Sequence, residues 1–232
     1  QAVDAFRAAG GRGMNVTAPF KLDAFAYATD LAPSAQMAGA VNAMKFEGER
    51  VYAENFDGIG LVRDVVHNLA RPIRGQRVLV LGAGGATRGA LLPLLAEAPA
   101  ELVIVNRTLS KAQELAALGR QHQKGAVPVQ GLGYEQLQSQ AFDLVFNASS
   151  SSLTAELPPI TAAVFATGAL AYDLTYGKGL TPFLRLAQQA GVTHLADGVG
   201  MLAEQAAEAF AWWRGVRPDT QDVIRQLSVP LV

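Results

Sequence analysis

The chain has 232 residues, of which half are hydrophobic and 17% are charged, with 19 basic and 20 acidic side chains and a net charge of −1. A chain of this size and apolar content can bury a core in one large domain or two smaller ones. The balanced charge argues against a nucleic-acid-binding surface and favours a small-molecule partner. The sequence has no cysteine, which excludes disulfides and thiolate-bound metals. No apolar run is long enough to span a bilayer, and we expect a cytoplasmic protein.

The first 57 residues mix short helix and strand patterns. Glycine commonly follows the last turn of a helix, so the pair at 10–11 is predicted to end the opening helix. Pro19 ends the strand that comes next, and Gly48 marks a turn between two later strands. The predicted elements are a helix over 2–9, a strand over 14–17, a helix over 22–30 and strands over 43–47 and 50–53.

Beyond residue 58, short apolar runs alternate with helical patterns. The almost wholly apolar run at 77–81 is typical of a parallel strand covered on both faces. Strands alternating with helices predict right-handed βαβ units in a doubly wound α/β sheet. The predicted strands are 77–81, 102–105, 127–129, 143–146 and 169–172, and the predicted helices are 60–69, 86–96, 110–120, 201–214 and 220–227.

A glycine-rich segment directly follows the first of these buried strands and opens a helix. Gly82 and Gly84 permit a tight turn and a close approach of the backbone to a pyrophosphate, and the helix offers free N–H groups to the phosphates. Thr87 stands at the third motif position, where glycine is usual, so the segment is a variant of the dinucleotide fingerprint. The sequence therefore predicts a dinucleotide site, and the alternative is an ordinary glycine-rich turn. The predicted cofactor contacts here are Gly82, Ala83, Gly84, Gly85 and Ala86.

The residues after the next strand favour NADP over NAD. NAD enzymes usually place Asp or Glu about 20 residues past the glycines, where the carboxylate accepts from the ribose 2′-hydroxyl. This chain instead has Asn106, Arg107 and Thr108 there. Arg107 can stack on adenine or bind a 2′-phosphate, and Lys111 adds a second positive charge one helical turn further on.

Carbonyl reduction needs a proton donor, and a lysine is the candidate. Lys21 follows a hydroxyl, Thr17, on a turn between a strand and a helix, and a partly desolvated lysine can act as acid or base. Asn42 and Asp57 add an amide and a carboxylate in two further turns. The alternative is that each is an ordinary surface turn. Three histidines lack a partner at metal-ligand spacing and are predicted to be structural or surface residues, with no metal site expected: His67, His122 and His194.

Eight motifs occur along the chain in the order in which shikimate dehydrogenases carry them, and the sequence resembles that family from end to end. They are NVTAPFK at 15–21, GAVN at 39–42, NFDG at 55–58, GAGGA at 82–86, NRT at 106–108, NASS at 147–150, YDLTY at 172–176 and DGVGMLAEQ at 197–205. The combination is far more specific than any single motif.

The resemblance implies a reversible, NADPH-dependent reduction of 3-dehydroshikimate to shikimate, a step in chorismate and aromatic amino-acid biosynthesis. It implies that Lys21 is the catalytic acid/base and that Asp57 is its partner. The implied substrate contacts are Thr17, Asn42, Tyr176 and Gln205. The implied cofactor contacts are Leu174, Gly198 and Met201 near the nicotinamide, and Asn106, Arg107, Thr108 and Lys111 at the adenosine phosphate.

The resemblance also implies a division into two domains. A Rossmann-type, doubly wound NADP domain is expected at 59–198. A smaller α/β substrate domain is expected at 1–58 and 199–232, completed by the C-terminal helices. The family's first strand and its Ser-Lys-Ser-Pro type segment, which holds the substrate carboxylate, have no match in this chain. We therefore expect a substrate domain without that strand and weak substrate affinity. The sequence leaves the oligomeric state open, with a homodimer among the alternatives.

The chain departs from the family pattern near the expected substrate site. Glu54 and Phe56 replace the usual Asp and Thr, and Phe56 removes a hydroxyl where substrate contacts are expected. Ala43 stands where Thr is common, and Ser152 stands near a usual glycine. These departures leave two alternatives open, a quinate dehydrogenase or paralogue with another substrate, and a non-catalytic NADP-binding module. Methylenetetrahydrofolate dehydrogenases fit the motifs less well.

Overall fold

A computed structural model describes residues 1–137, 140–149 and 156–231 of the chain. Four strands near the start form a small sheet in the order β1-β3-β4-β2. β3 is antiparallel to both of its neighbours, and β2 is parallel to β4. The strands are β1 (Gly13–Asn15), β2 (Asp30–Leu31), β3 (Ala43–Glu47) and β4 (Arg50–Glu54). The helices of this region are α1 (Ala2–Ala8), α2 (Lys21–Tyr27) and α3 (Pro33–Ala38).

Six strands form a second sheet in the order β10-β9-β8-β5-β6-β7, and all of its pairings are parallel. They are β5 (Arg77–Leu81), β6 (Glu101–Val105), β7 (Val129–Leu132), β8 (Phe142–Asn147), β9 (Phe165–Asp173) and β10 (His194–Asp197). Both faces of this sheet are covered, since Val78 and Val80 belong to one core cluster and Leu79 and Leu81 to another. The predicted Rossmann-type α/β fold, with a smaller second sheet, is confirmed.

The helices that follow β4 cover the large sheet and join it to the small one. They are α4 (Asp57–Arg63), α5 (Gly85–Ala96), α6 (Leu109–His122), α7 (Pro182–Gln189), α8 (Val199–Arg214) and α9 (Gln221–Leu227). Helix α4 packs closely against both α5 and α8. A Cβ atom on Gly58 would lie 2.2 Å from the carbonyl oxygen of Gly89 in α5, so the missing side chain allows these backbones to touch. The start of α4 is thereby fixed beside the glycine turn.

The structure corrects several predicted elements. β7 begins at Val129, later than expected, because Pro128 has no N–H to contribute to a sheet ladder. Helix α4 begins at Asp57 and ends in a π-helical turn, Asp64–Asn68. α3 and α7 were not predicted, although each carries proline in its first turn, a common start signal.

Ser150 and Ser152, both named among the family motifs and departures, lie outside the described residues. Within the described ranges, no helix is both long enough and apolar enough to cross a membrane.

Candidate active site

A lysine and a carboxylate from two different helices meet at the junction of the two sheets. Lys21 is the first residue of α2, and Asp57 is the first residue of α4. The Nζ atom of Lys21 lies 2.6 Å from Oδ2 of Asp57. The two side chains are 30% and 18% exposed, so the pair is sheltered but open to water on one side. A charge-assisted hydrogen bond of this kind orients both groups.

Asn42 holds this pair in place. Its side chain is 2% exposed, and its Nδ2 donates to Oδ1 of Asp57 at 2.9 Å and to Oε1 of Gln205 at 3.3 Å. Its Oδ1 accepts from the backbone N–H of Phe56 at 2.9 Å, which fixes the amide orientation. Each oxygen of Asp57 therefore has its own donor, and Lys21, Asp57, Asn42 and Gln205 form one hydrogen-bonded group.

A cavity of about 470 Å³ opens over this group. All the residues predicted to be catalytic or to contact substrate line it, and so do four predicted cofactor contacts. Asn15 and Leu202 also line it and were not predicted. Its lining includes Asn15, Thr17, Lys21, Asn42, Asp57, Ala86, Leu174, Tyr176, Gly198, Met201, Leu202 and Gln205.

A second cavity, of about 480 Å³, follows the carboxyl ends of the large sheet's strands. This edge is where ligands bind in open parallel α/β sheets. Leu174 lines both cavities, which makes them neighbours. Gly85 and Thr108, both predicted cofactor contacts, line neither of the two cavities. The lining consists of Gly82, Ala83, Gly84, Asn106, Arg107, Lys111, Tyr134, Asn147, Ala148, Ser149, Pro158, Pro159, Leu174 and Thr175.

The glycine turn has the backbone geometry that a phosphate-binding loop needs. Gly82 has φ +103°, a conformation that residues with a side chain rarely adopt, and an added Cβ would lie 2.9 Å from the backbone of Ser149. Nothing lies within 4 Å of a Cβ added at Gly84, so open space is left there. The hydroxyl of Thr87, buried in the turn, donates to the carbonyl oxygen of Gly82 at 2.7 Å. Thr87 thus closes the turn at the position where the usual motif has glycine.

Two basic side chains border the same cavity. Arg107 is 72% exposed and lies 3.6 Å from the carboxylate of Glu156, an open ion pair that a stronger anion can displace. Lys111 lies one helical turn along, in α6. Burial raises the pKa of the neighbouring Tyr134, and the charge of Arg107 partly offsets that rise. The open turn at Gly84 together with these cations fits a dinucleotide carrying an additional phosphate.

Comparison with known proteins identifies the family. Three domain-family models match the chain, described as shikimate dehydrogenase substrate binding domain (residues 1–44), shikimate / quinate 5-dehydrogenase (64–157) and shikimate 5′-dehydrogenase C-terminal domain (198–227). The shikimate dehydrogenase (NADP(+)) of Aromatoleum aromaticum is 54% identical over 226 residues, covering 97% of this chain and 81% of that protein. The chain belongs to the shikimate dehydrogenase family.

Solved structures agree with this family assignment. The crystal structure of an Ael1 enzyme from Pseudomonas putida is 59% identical, with a TM-score of 0.93 over all of this chain and 83% of that one. The shikimate 5-dehydrogenase of Thermus thermophilus, solved in complex with NADP(H) and shikimate, is 30% identical with a TM-score of 0.80. That alignment covers 97% of this chain and 82% of the other.

One expectation about the departures from the shikimate dehydrogenase pattern is wrong. Phe56 does not face the cavity over Lys21 but is buried in a small cluster with Ala43 and Ala209. Its ring meets that of Trp212 edge-on, with centroids 5.9 Å apart. The side chain therefore packs α8 against the small sheet and does not reshape the substrate pocket.

The neighbouring Glu54 also points away from the shikimate dehydrogenase cavity. Its carboxylate accepts a hydrogen bond from the hydroxyl of Ser34. Burial raises the pKa of Glu54, and the Ser34 hydrogen bond partly offsets this. Glu54 therefore contributes no group to the lining of the cavity over Lys21. Across the described ranges, no three His, Asp or Glu side chains come together as a metal site.

Proposed function

We propose that this shikimate dehydrogenase family member catalyses the reversible, NADP-dependent reduction of 3-dehydroshikimate to shikimate. The observation that carries the proposal is the placement of the Lys21–Asp57 pair in a cavity that shares Leu174 with the cavity of the glycine turn. Identity of 54% to an NADP-dependent shikimate dehydrogenase over nearly the whole chain supports both the substrate and the cofactor.

NADP, when bound, supplies or accepts the hydride. Three groups of residues in the chain are proposed to hold the cofactor. The residues proposed to bind it are Gly82, Ala83, Gly84, Gly85 and Ala86 at the pyrophosphate, Asn106, Arg107, Thr108 and Lys111 at the adenosine phosphate, and Leu174, Gly198 and Met201 beside the nicotinamide. Gly85 begins α5 and Thr108 precedes α6, so both can act through helix N-termini.

Lys21 is the proposed catalytic acid and base. In the reduction direction its ammonium donates a proton to the ketone oxygen as negative charge develops there, and in the oxidation direction the amine takes the hydroxyl proton back. Asp57 keeps the ammonium in place through the 2.6 Å contact and can accept a hydrogen bond from a substrate hydroxyl. The exposed fraction of Lys21 allows proton exchange with water.

Four polar side chains are proposed to bind the hydroxyl groups of the substrate. Thr17, Asn42, Tyr176 and Gln205 all line the cavity over Lys21, and together they offer donors and acceptors that suit a cyclic polyol. Tyr176 is exposed, which suits a residue at the mouth of the cavity. Asn42 and Gln205 are already hydrogen-bonded to each other, which reduces the cost of ordering them around substrate.

The domain division, the oligomeric state and the location stay predictions. We propose a substrate domain at 1–58 and 199–232 and an NADP domain at 59–198. All strands of the small sheet fall within 13–54, and all strands of the large sheet fall within 77–197, which supports this division. The homodimer is testable by light scattering of the purified protein, and the cytoplasmic location by cell fractionation.

Reduction of NADP⁺ in the presence of shikimate tests the proposal directly. We expect turnover with shikimate and NADP⁺ to exceed turnover with quinate or with NAD⁺. Lys21→Ala should lower kcat by about 10²- to 10⁴-fold while NADP⁺ binding is retained. The exposed Lys124 lines neither of the two cavities, and Lys124→Ala is the matched control.

Three outcomes would contradict parts of the proposal. Preference for quinate would change the substrate. Binding of NADP⁺ without turnover of either polyol would leave a cofactor-binding module. Robust turnover by Lys21→Ala would remove the assigned role of that lysine.

A further inference from the structure

The first two turns of α8 form one wall of the reaction cavity. Met201 and Gln205 both line that cavity, and Gln205 accepts a hydrogen bond from Asn42, which in turn holds Asp57. The place of Gln205 relative to Asp57 therefore depends on where α8 begins. The N-terminal turn of α8 is held on its buried side by two side chains that have no part in the proposed mechanism.

Tyr172 and Asp64 are those groups. The hydroxyl of Tyr172, in β9, accepts from the backbone N–H of Met201 at 3.3 Å and donates to Oδ2 of Asp64 at 2.8 Å. The side chain of Tyr172 is 0% exposed and that of Asp64 is 3% exposed. Asn68 donates to the other carboxylate oxygen of Asp64 at 3.0 Å. The large sheet, the end of α4 and the start of α8 are thus joined through one buried hydroxyl.

The fit around this hydroxyl leaves α8 little freedom to shift toward α4. A Cβ atom on Gly200 would lie 1.9 Å from Oδ1 of Asp64. A Cβ atom on Gly60 would lie 2.8 Å from the carbonyl oxygen of Met201 and 2.8 Å from the backbone nitrogen of Gln205. Because neither glycine has a side chain, α4 and α8 can approach this closely. The hydrogen bonds of Tyr172 and Asp64 then fix the position of the first turn of α8.

The electrostatics of the cluster support the same arrangement. Burial raises the pKa of Tyr172 well above its ordinary value, and the adjacent Asp64 adds to the rise, so the phenol keeps the proton that it donates. Burial raises the pKa of Asp64, and the hydrogen bonds from Asn68 and Tyr172 partly offset that rise. Its carboxyl group lies beside the N-terminal turn of α8, where partial positive charge accumulates. A polar pair in this place holds the start of the helix in a way that an apolar pair could not.

We propose that Tyr172 and Asp64 are positioning residues of the reaction, which place Met201 and Gln205 against the Lys21–Asp57 pair. The inference rests on the proposed function, because its kinetic readout needs the substrate. Tyr172→Phe keeps the ring and removes only the hydroxyl, so it releases Met201 and Asp64 at once. We expect the KM for shikimate to rise about tenfold and kcat to fall severalfold. The Kd for NADP⁺ should change less, since the glycine turn and Arg107 are untouched.

A purely structural role would give a different pattern. It would lower the melting temperature and leave KM unchanged well below that temperature. Hydrogen exchange of the peptide at 198–205, measured on the protein alone, separates the two, because a released first turn exchanges faster than the rest of α8. Thr220→Val is the matched control. This substitution removes a buried hydroxyl that donates to Glu204 of α8. Thr220 does not line the cavity over Lys21.

Asp64 provides a second, independent pair of variants. Asp64→Asn keeps an oxygen that can accept from Tyr172 and loses only the acceptor for Asn68, so KM should stay within about twofold of the parent. Asp64→Ala removes the acceptor for Tyr172 and should raise KM in the same direction as Tyr172→Phe but by less, because the phenol can still accept from Met201. If both Tyr172→Phe and Asp64→Ala keep the parent's KM and exchange rates, the positioning role is overturned. A parent that turns over no shikimate refutes the proposed function instead, and the exchange measurement still decides whether the hydroxyl holds α8.

Discussion

The Nζ atom of Lys21 and the Oδ2 atom of Asp57 lie 2.6 Å apart although the two residues are 36 positions apart in the chain. Each residue begins a helix, and the contact exists because α4 is held against α5 through the bare backbone of Gly58. A lysine whose position is fixed by an ordered carboxylate is well suited to proton transfer.

Asp57→Asn should lower kcat/KM for shikimate by about 10²-fold, because the amide still contacts Lys21 but no longer provides a counter-charge or a second acceptor. Steady-state kinetics with NADP⁺ at saturation measures the change. Asp23→Asn removes an exposed carboxylate from α2, near the same lysine, and should leave kcat/KM unchanged. Equal effects of the two substitutions would contradict a specific role for Asp57.

Arg107→Ala should weaken NADP⁺ binding about tenfold and leave NAD⁺ binding unchanged, because only NADP⁺ carries the 2′-phosphate that a guanidinium can clamp. Titration of each cofactor by calorimetry measures the two Kd values. Added salt should shrink the difference, since the side chain is largely exposed. Arg225→Ala, on the exposed face of α9, is the control. Equal weakening of NADP⁺ and NAD⁺ would place Arg107 at the adenine and not at the phosphate.

Alanine substitutions at two glycines of the turn are expected to affect the melting temperature differently. Gly82→Ala should lower the melting temperature by several degrees, about what 1 to 2 kcal/mol causes in a chain of this size, because of its positive φ and its contact with Ser149. Gly84→Ala meets open space in the protein alone and should leave that temperature unchanged.

NADP⁺ separates the two glycine variants further. Gly84→Ala should reduce the cofactor's thermal stabilisation strongly, because the backbone must approach the pyrophosphate closely at this position. Thermal melts with and without NADP⁺ measure both effects. Normal stabilisation of Gly84→Ala by NADP⁺ would argue that the cofactor does not follow this turn.

Glu54→Gln should stabilise the protein at neutral pH. Burial raises the pKa of Glu54 above its ordinary value of 4.5, so the folded state disfavours the ionised form. The contribution of this group to stability is therefore complete below that value and is lost as pH rises through the raised pKa. We expect the variant to melt about 1 to 2 °C higher than the parent at pH 7, with the gap closing near pH 4.

The exposed Glu49 supplies the control for that pH experiment, since Glu49→Gln removes the same charge from a solvated turn. Its melting temperature should follow that of the parent across the pH range. A Glu54→Gln variant that is less stable than the parent at pH 7 would mean that the Ser34 hydrogen bond outweighs the burial of the carboxylate.

Local sequence patterns predicted most of the large sheet. β5, β6 and β8 are short apolar runs buried on both faces, and such runs need no distant partner to be recognised. The glycine turn was equally visible, because strand, glycines and helix are consecutive. The weaker elements were missed or shifted. α3 and α7 are short, with only Pro33 and Pro182 to mark where they start.

Several cavity residues carry no signal of their own in the sequence. Tyr134 follows the weakly predicted β7, and Asn15 and Leu202 look like ordinary members of a strand and a helix. Thr175 lies within a family motif beside the predicted contact Leu174 and lines the cavity of the glycine turn. Their place in the two cavities becomes apparent only when the carboxyl ends of the strands and the first turn of α8 are brought together.

The sequence by itself determined the family and the class of cofactor, and it named the residues proposed for proton transfer, because each is recorded in short motifs of consecutive residues. The tertiary structure alone decided that Asn42 bonds to Gln205, which is 163 positions away, and that Phe56 faces Trp212 and not the substrate cavity. These facts depend on how closely helices approach one another, as at Gly58. No local pattern of hydrophobic periodicity encodes that distance.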